Sequence, residues 1–178
     1  MIIPGIIIAI LTFPGVIVHE FAHMFFCKLL KIPVLDVKFF QFDMNTAGYV
    51  LHEDPMDFNK SFLVSIGPFF VNTILCLLIC FPASISYGFF NISDPLSFFL
   101  MWLGVSIGMH AFPSSQDSKN VLDIAGTEIK KKNLLAIISI PVFGLFMLAN
   151  LLRIIWFDAI YGVAIGIGLP VWIYNLLL

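Results

Sequence analysis

Charged residues are scarce in this chain. Only 11% of its 178 residues are Asp, Glu, Lys or Arg, whereas 60% are hydrophobic. A soluble globular domain carries about 25% charged and about 45–50% apolar residues. Because so few polar side chains cannot cover a water-exposed surface, most of the surface must face lipid. The sequence therefore predicts a multi-pass integral membrane protein, and its length predicts a single domain.

Several other features are missing. The formal net charge is −2, so no overall basic field indicates a nucleic-acid partner. Cys27, Cys76 and Cys80 are an odd, scattered set, which provides neither a disulfide framework nor a CxxC site. The apolar start of the chain has no basic residue before it and no small-residue cleavage site. We therefore expect no cleaved signal peptide.

Long apolar runs recur along the chain, and about 20 apolar residues are enough to cross a bilayer core. We expect an all-α polytopic fold with five membrane-spanning helices, at about residues 3–30, 60–83, 96–113, 134–156 and 159–177. The pairs Pro14-Gly15 and Gly67-Pro68 should interrupt the first two spans. Such breaks survive in a membrane only where neighbouring groups satisfy the freed backbone.

Basic residues fall almost entirely on one side of this alternating topology. Eight of the nine lie in or beside the segments 31–59 and 114–133, and only Arg153 lies on the other side. By the positive-inside rule, the lysine-rich side is cytoplasmic. In a cell membrane this would place the N-terminus outside and the C-terminus in the cytoplasm.

Two connections have distinct compositions. Residues 34–52 are rich in Val, Phe and Tyr and contain a turn signal at Asn45–Gly48, which predicts a small β-hairpin at the cytoplasmic face. Residues 114–133 are polar and include the run Lys130–Lys132. We expect this second connection to be a solvated loop that sets the topology.

The motif HEFAH, residues 19–23, lies inside the first predicted span. On a helix, His19 and His23 present two imidazoles on one face. Glu20 projects about 100° away from His19, so it can lie beside an ion without binding it. This is the HExxH pattern of two zinc ligands and a carboxylate that takes a proton from the activated water. Ionisable groups in a membrane span are rarely kept without function, although a proton relay or a polar packing cluster is the alternative.

A catalytic zinc ion usually has three protein ligands, so one more is needed. Asp117 is the leading candidate, because it follows the third predicted span on the same side as HEFAH. His110 is the competing ligand, or else a group that orients a ligand or stabilises an oxyanion. The alternatives are a helix-capping carboxylate for Asp117 and a structural histidine for His110.

These motifs resemble those of the site-2 protease family of intramembrane zinc metalloproteases. The resemblance consists of HEFAH, of GPFFVN at residues 67–72, which is similar to G-P-x-x-x-N, and of a proline-containing motif that ends in Asp117. It covers about residues 1–120. The chain departs from the family at His110, where Asn is usual, and at Ser118, where Gly is usual after the aspartate.

The resemblance implies a three-helix metalloprotease core at 1–120, followed by a polar loop and two further spans at 121–178. It implies one Zn²⁺ ion held by His19, His23 and Asp117. The candidate catalytic residues are Glu20 as general base, Asn72 as a group that orients the substrate or stabilises the intermediate, and His110. The strands at 34–52 would resemble the family's membrane-embedded sheet, whose edge pairs with an unwound substrate.

The expected function is therefore hydrolysis of peptide bonds in membrane-spanning or membrane-associated proteins near the cytoplasmic face. Two alternatives stay open: a catalytically inactive family member that binds membrane partners, and a metal or proton transporter. A transporter needs ionisable groups along a route through the membrane. Here most of them cluster near one side.

Overall fold

The computed structural model describes residues 5–43, 46–55, 57–90 and 94–177, and these residues are mostly helical. The α-helices are α1 Gly5–Leu11, α2 Phe13–Leu29, α3 Phe58–Phe90, α4 Pro95–Met109, α5 Ser115–Lys130, α6 Leu134–Leu152, α7 Phe157–Val163 and α8 Leu169–Leu177. A short 3₁₀ turn at Arg153–Ile155 precedes α7, and a π-helical segment at Ala164–Gly168 joins α7 to α8. Two strands, β1 Val34–Lys38 and β2 Tyr49–His52, form one antiparallel pair.

Three helical stretches in the described part of the chain are long and apolar enough to cross a membrane. They are Phe58–Ser86, Leu134–Ile155 and Phe157–Leu177. They match the second, fourth and fifth predicted spans and indicate a membrane protein. The third predicted span, 96–113, is the shorter α4 of 15 residues, which is about 22 Å long at 1.5 Å per residue.

The first predicted span is not one straight helix. Residues 3–30 were expected to form a single span, but α1 and α2 meet at an angle of 88°. The break is at Thr12, whose backbone N–H still bonds Ile8 O while Pro14 stands in the first turn of α2. Because Pro14 has no N–H for the carbonyl of Ile10 and its ring clashes with that carbonyl, α1 cannot continue through it, whereas proline is tolerated in the first turn of a new helix. Pro14-Gly15 thus interrupts the span as predicted.

Gly67-Pro68 does not interrupt the second span, and this prediction is wrong. Both residues lie inside α3, which continues to Phe90. Pro68 has no N–H for the carbonyl of Val64, four residues earlier. The ring of His23 on α2 takes that place, with Nδ1 3.1 Å from Val64 O. The neighbouring helix therefore satisfies the freed carbonyl, and α3 stays intact.

α3 is the central helix, and α2 and α4 run antiparallel to it. His23 contacts Val64 near the start of α3, while the amide of Asn72, further along α3, reaches Gly15 near the start of α2. On α4 the order is also reversed, because Cys80 bonds the carbonyls around Met101 and Asn72 bonds the carbonyl of His110. α2, α3 and α4 together form the three-helix core that holds the candidate site.

The helices at the fourth and fifth predicted spans do not run in opposite directions, as the alternating topology predicted, and therefore cannot be two separate crossings of the membrane. Both follow α3 in the same direction, which is shown by the order of their contacts along it: Asn59–Asn133, Phe62–Phe143, Phe69–Phe146, Thr73–Tyr161, Cys76–Gly162 and Ser84–Gly166. The connection between α6 and α7 is only the 3₁₀ turn and Trp156, which has a left-handed backbone. This connection breaks the helix without reversing the chain.

The polar connection 114–133 is a helix rather than the predicted loop. α5 occupies Ser115–Lys130 and begins at Ser114 with a capping box formed with Asp117. Buried Val121 and Ala125 pack against α3 and α6. α5 leads from the end of α4 back to the beginning of α3, where Asn133 bonds Asn59. The chain therefore reverses between α5 and α6.

The predicted β-hairpin is present, with β1 and β2 inside the expected segment 34–52. The expected turn at Asn45–Gly48 lies partly outside the described residues. In the hairpin, the Tyr49 hydroxyl donates to Asp36 at 2.5 Å and lowers the pKa of that carboxyl. The segment after β1 lies along α2, because Phe39 contacts Phe21 and Phe40 contacts Phe13. The hairpin therefore extends along α2 from the lysine-bearing end of that helix towards the break at Thr12.

Close helix contacts in the core depend on glycine. A Cβ on Gly15 would lie 2.0 Å from Ser106 O and 2.6 Å from the ring of His110. α2 and α4 can therefore approach only because position 15 has no side chain. Small residues at such positions are typical of helix packing inside membranes.

We predict that Gly15→Ala lowers the unfolding free energy by about 1–3 kcal/mol, the usual cost of inserting a methyl group into a packed core. Thermal unfolding in detergent would measure the loss. Gly144→Ala is the matched control, because a Cβ on Gly144 of α6 meets nothing within 4 Å. Equal stability of the two variants would contradict the tight contact between α2 and α4.

Candidate metal centre

The structure brings together the three predicted metal ligands. His19 and His23 lie one turn apart on α2, and Asp117 lies in the first turn of α5. One ligand atom from each residue lies within 4.8 Å of the other two. His23 is buried, and His19 and Asp117 are half-buried. Residues nearly 100 positions apart in the sequence thus form one group of donors.

The ring of His19 is oriented by the end of α4. Its Nδ1 lies 2.6 Å from the carbonyl oxygen of His110, the residue that ends this helix. A carbonyl only accepts hydrogen bonds, so Nδ1 must carry the proton. Nε2 is then left with a lone pair, as a metal ligand requires.

His23 is oriented in the same way by α3. Its Nδ1 lies 3.1 Å from Val64 O, the carbonyl that Pro68 leaves without a helical donor. Nδ1 is again the protonated nitrogen, and Nε2 carries the lone pair. Both imidazoles therefore have the arrangement usual in zinc sites, in which one nitrogen donates to a carbonyl and the other binds the metal.

Asp117 is positioned by the turn that begins α5. Its Oδ2 accepts hydrogen bonds from the backbone N–H of Ser114 at 3.0 Å and from the Ser114 hydroxyl at 2.6 Å. The same oxygen lies 3.6 Å from Nε2 of His23. Asp117 is therefore a helix-capping carboxylate, the alternative considered above, and also a member of the donor cluster.

The donor set fits zinc. Two imidazole nitrogens and one carboxylate oxygen are usual for a catalytic site with one position left open. Tetrahedral bonds of about 2.0 Å place neighbouring ligand atoms about 3.3 Å apart. The 3.6 Å between His23 and Asp117 needs only a small movement to reach that separation.

Glu20 lies beside this cluster and is not a member of it. Its side chain is half-buried and lines the same cavity as His19. The hairpin approaches it closely, since a Cβ on Gly48 would lie 2.8 Å from Cγ of Glu20. This placement is the one that the HExxH pattern predicts for a proton-transferring carboxylate.

His110 is near the cluster but bonds elsewhere. Its Nε2 lies 2.8 Å from Oγ1 of Thr12, and that hydroxyl donates its own proton to Ile8 O. Thr12 must therefore accept, and the His110 ring donates from Nε2. The structure groups Asp117, not His110, with the other two donors. His110 lines the cavity, so its ring can contact a bound molecule.

Asn72 is fully buried and joins three helices rather than facing the cavity. Its amide nitrogen donates to Ile107 O and His110 O at 3.1 Å, and it lies 3.4 Å from Gly15 O. His110 O is the same carbonyl that orients His19. We infer that Asn72 positions a metal ligand through this shared carbonyl. Its predicted contact with substrate is not part of the observed geometry.

A cavity of about 360 Å³ opens beside the cluster. Its wall comes from five parts of the chain: α1, the first half of α2, the segment that precedes β2, the end of α4 and the break before α7. Polar side chains in the wall are His19, Glu20, Asp43, Thr46, His110, Ser114, Arg153 and Asp158. The polar side chains in the wall make the cavity suitable for water, and its volume provides space for a short stretch of extended peptide.

Three residues of this site were not predicted from the sequence. Thr12 and Ser114 act through hydrogen bonds that depend on where helices end, and the ends of helices are the least certain part of a prediction from sequence. Arg153 was assigned to the opposite side of the membrane. Its position after an apolar run and close to Asp158 was the only available signal.

No family model, curated protein or solved structure matched this chain. The likeness to site-2 proteases therefore remains a resemblance of short motifs, and the geometry of the site must support any function by itself.

We predict that His19→Ala and Asp117→Ala each lose zinc. Removal of a direct ligand should weaken binding by more than the roughly 10–100-fold that loss of an outer partner costs. Metal analysis of purified protein would measure this. His52→Ala in β2 is the control, because that ring bonds Glu53 O in the hairpin and is outside the cluster. Full zinc content in Asp117→Ala would remove Asp117 from the ligand set.

We also predict that Asn72→Ala weakens zinc binding by about 10–100-fold while all three ligands remain. The physical reason is the loss of the amide that holds His110 O in place for His19. Titration with a competing chelator would measure the affinity. An unchanged affinity together with reduced catalysis would instead indicate that Asn72 acts on the substrate.

Proposed function

We propose that this protein is a membrane-embedded zinc metalloprotease that cleaves membrane-spanning or membrane-associated proteins. One observation carries the proposal: two imidazoles with their Nδ1 atoms held by backbone carbonyls lie with Asp117 in one donor cluster. A carboxylate that is not in the cluster, Glu20, lies beside it on the cavity wall. A purely structural polar cluster does not require this division between ligands and a free carboxylate.

Zinc, when bound, would lower the pKa of a water molecule and polarise a peptide carbonyl. His19, His23 and Asp117 would hold it. Glu20 takes the proton from the attacking water and passes it to the nitrogen of the amine that leaves. His110 is placed to donate a hydrogen bond into the cavity if its contact with Thr12 opens.

Substrate access is supported by the position of the hairpin. The loop residues Thr46, Ala47 and Gly48 line the cavity together with Glu20. β2 follows directly, and in the part of the chain that the structure describes its neighbour in the sheet is β1. An extended substrate segment could add to the free edge of β2 and so reach the cavity with its backbone hydrogen bonds satisfied.

We further propose an orientation with the lysine-bearing end of α3 in the cytoplasm. Lys28 ends α2 and Lys60 begins α3, while Lys130 to Lys132 end the helix that returns to Asn59. Because α6 to α8 follow α3 away from this end, the C-terminus would lie on the opposite side. This replaces the cytoplasmic C-terminus that the five-span count predicted.

The metal-transport alternative gains little from the structure. Ionisable side chains near the site gather around a single cavity. Further along α3, Cys76, Cys80 and Ser84 meet glycines of α4, α7 and the π-helical segment. A continuous series of charged groups through the membrane is not visible among the described residues.

We predict that Glu20→Gln keeps zinc and lowers cleavage by about 100- to 10,000-fold, the usual contribution of a proton-transferring group. Purified protein in liposomes would be tested on a panel of single-pass transmembrane peptides, with products identified by mass spectrometry. Glu53→Gln is the control, since Glu53 lies exposed after β2 and away from the cavity.

Cleavage by Glu20→Gln at the rate of the unmodified protein would exclude Glu20 as the base. Zinc bound at the expected site without cleavage of any peptide would favour the inactive family member. Uptake of zinc into the liposomes would favour a transporter.

A further inference from the structure

Among the described residues that line the cavity, Arg153 is the one arginine or lysine, and neither the metal site nor the proposed proton transfers use it. It stands at the end of α6, in the wall that also contains His19, Glu20 and His110. A cationic side chain inside a membrane protein is costly and usually has a functional partner. The question is which anion this guanidinium serves.

The break between α6 and α7 places Arg153 at the site. Asn150 near the end of α6 donates to Pro113 O at 2.8 Å, and Phe157 at the start of α7 packs on Phe112 at 5.8 Å between ring centroids. Both contacts are with the segment that follows His110. The break is thereby held against the end of α4, which positions the backbone of Arg153 beside the cavity.

The observed partner of Arg153 does not satisfy it. Nε lies 3.4 Å from Oδ2 of Asp158, an ion-pair distance that lacks hydrogen-bond geometry. Nε is buried and has no hydrogen-bond partner among the described residues, while the side chain as a whole is 42% exposed. A guanidinium has five N–H donors in a planar fork that matches a carboxylate. This one therefore retains donors for a further anion.

A simpler role must be weighed against this one. Arg153 caps the C-terminus of α6 and Asp158 lies in the first turn of α7, positions at which each charge stabilises its helix. A structural pair of this kind would also explain the contact at 3.4 Å. It does not explain why the arginine lines the cavity with much of its side chain exposed.

We propose that Arg153 is a specificity-determining residue that binds a carboxylate of the substrate close to the bond that is cut. The carboxylate belongs to an acidic side chain or to a chain end. This inference rests on the proposed protease function. Asp158 holds the guanidinium loosely in place and keeps its charge balanced until the substrate carboxylate arrives.

Binding is tested first, in the Glu20→Gln protein, which separates binding from cleavage. The probes are fluorescent transmembrane peptides that carry a single Asp at successive positions, each paired with a twin that has Asn. A second pair with a free or an amidated C-terminus distinguishes a chain end from a side chain. We expect the acidic member to bind about tenfold more tightly at one position, as a charge-assisted hydrogen bond allows.

The variants identify Arg153 as the cause. Arg153→Gln should abolish the preference for the acidic peptide and leave affinity for the neutral twin unchanged. Arg153→Lys should retain part of it, because the charge remains while the planar fork is lost. Lys131→Gln, which removes a basic residue paired with Glu128 outside the cavity, should have no effect. Asp158→Asn should keep or increase the preference.

Opposite results would overturn the inference. Equal affinity for every acidic peptide and its neutral twin would exclude a carboxylate subsite. An equal loss of affinity and thermal stability in Arg153→Gln and Asp158→Asn would assign the pair a structural role.

Cleavage assays with Glu20 intact separate this inference from the proposed function. Cutting of acidic and neutral twins with equal KM would refute the subsite and retain the protease. Arg153-dependent binding without any cutting would retain the subsite and refute the protease.

Discussion

Two backbone carbonyls without helical donors hold the site together. Val64 O lacks its donor because Pro68 has no N–H, and His110 O ends α4 at a point where the N–H of Ser114 is engaged by Asp117. Each carbonyl accepts from Nδ1 of one histidine. An unpaired carbonyl is costly in an apolar interior, so the same contacts that relieve the backbone also fix the tautomers of both rings.

Three helix breaks meet around the cavity, at Thr12, at 110–114 and at 153–156. Irregular backbone at membrane depth is tolerated where it is buried in protein or lines a cavity, and these breaks fulfil that condition for one another. Thr12 bonds His110, and Asn150 bonds Pro113. Among the described helices, α3 passes this level unbroken. The polar groups at the ends of the interrupted helices therefore lie together around the cavity.

The sequence predicted the membrane class from composition, the hairpin from strand-forming residues and a turn signal, and the pairing of His19 with His23 from helical spacing. Asp117 was predicted from its place after the third predicted span and from the motif resemblance. It failed where tertiary contacts decide. The sequence predicts that Pro68 interrupts a helix, yet the ring of His23 supplies Val64 O with the hydrogen-bond donor that Pro68 lacks. The direction of α7 depends on the backbone at Trp156, and Arg153 reaches the cavity through contacts made by its neighbours. Local patterns contain none of this information.

Asp117 belongs to two structures at once, since its Oδ2 closes the capping box of α5 and faces the ring of His23. Thermodynamic linkage follows from this dual membership. A metal ion that moves the Asp117 carboxylate also moves the first turn of α5. A change in the conformation of α5 in turn changes the affinity of the site for the ion. The lysines at the far end of that helix are thus thermodynamically coupled to the candidate metal site.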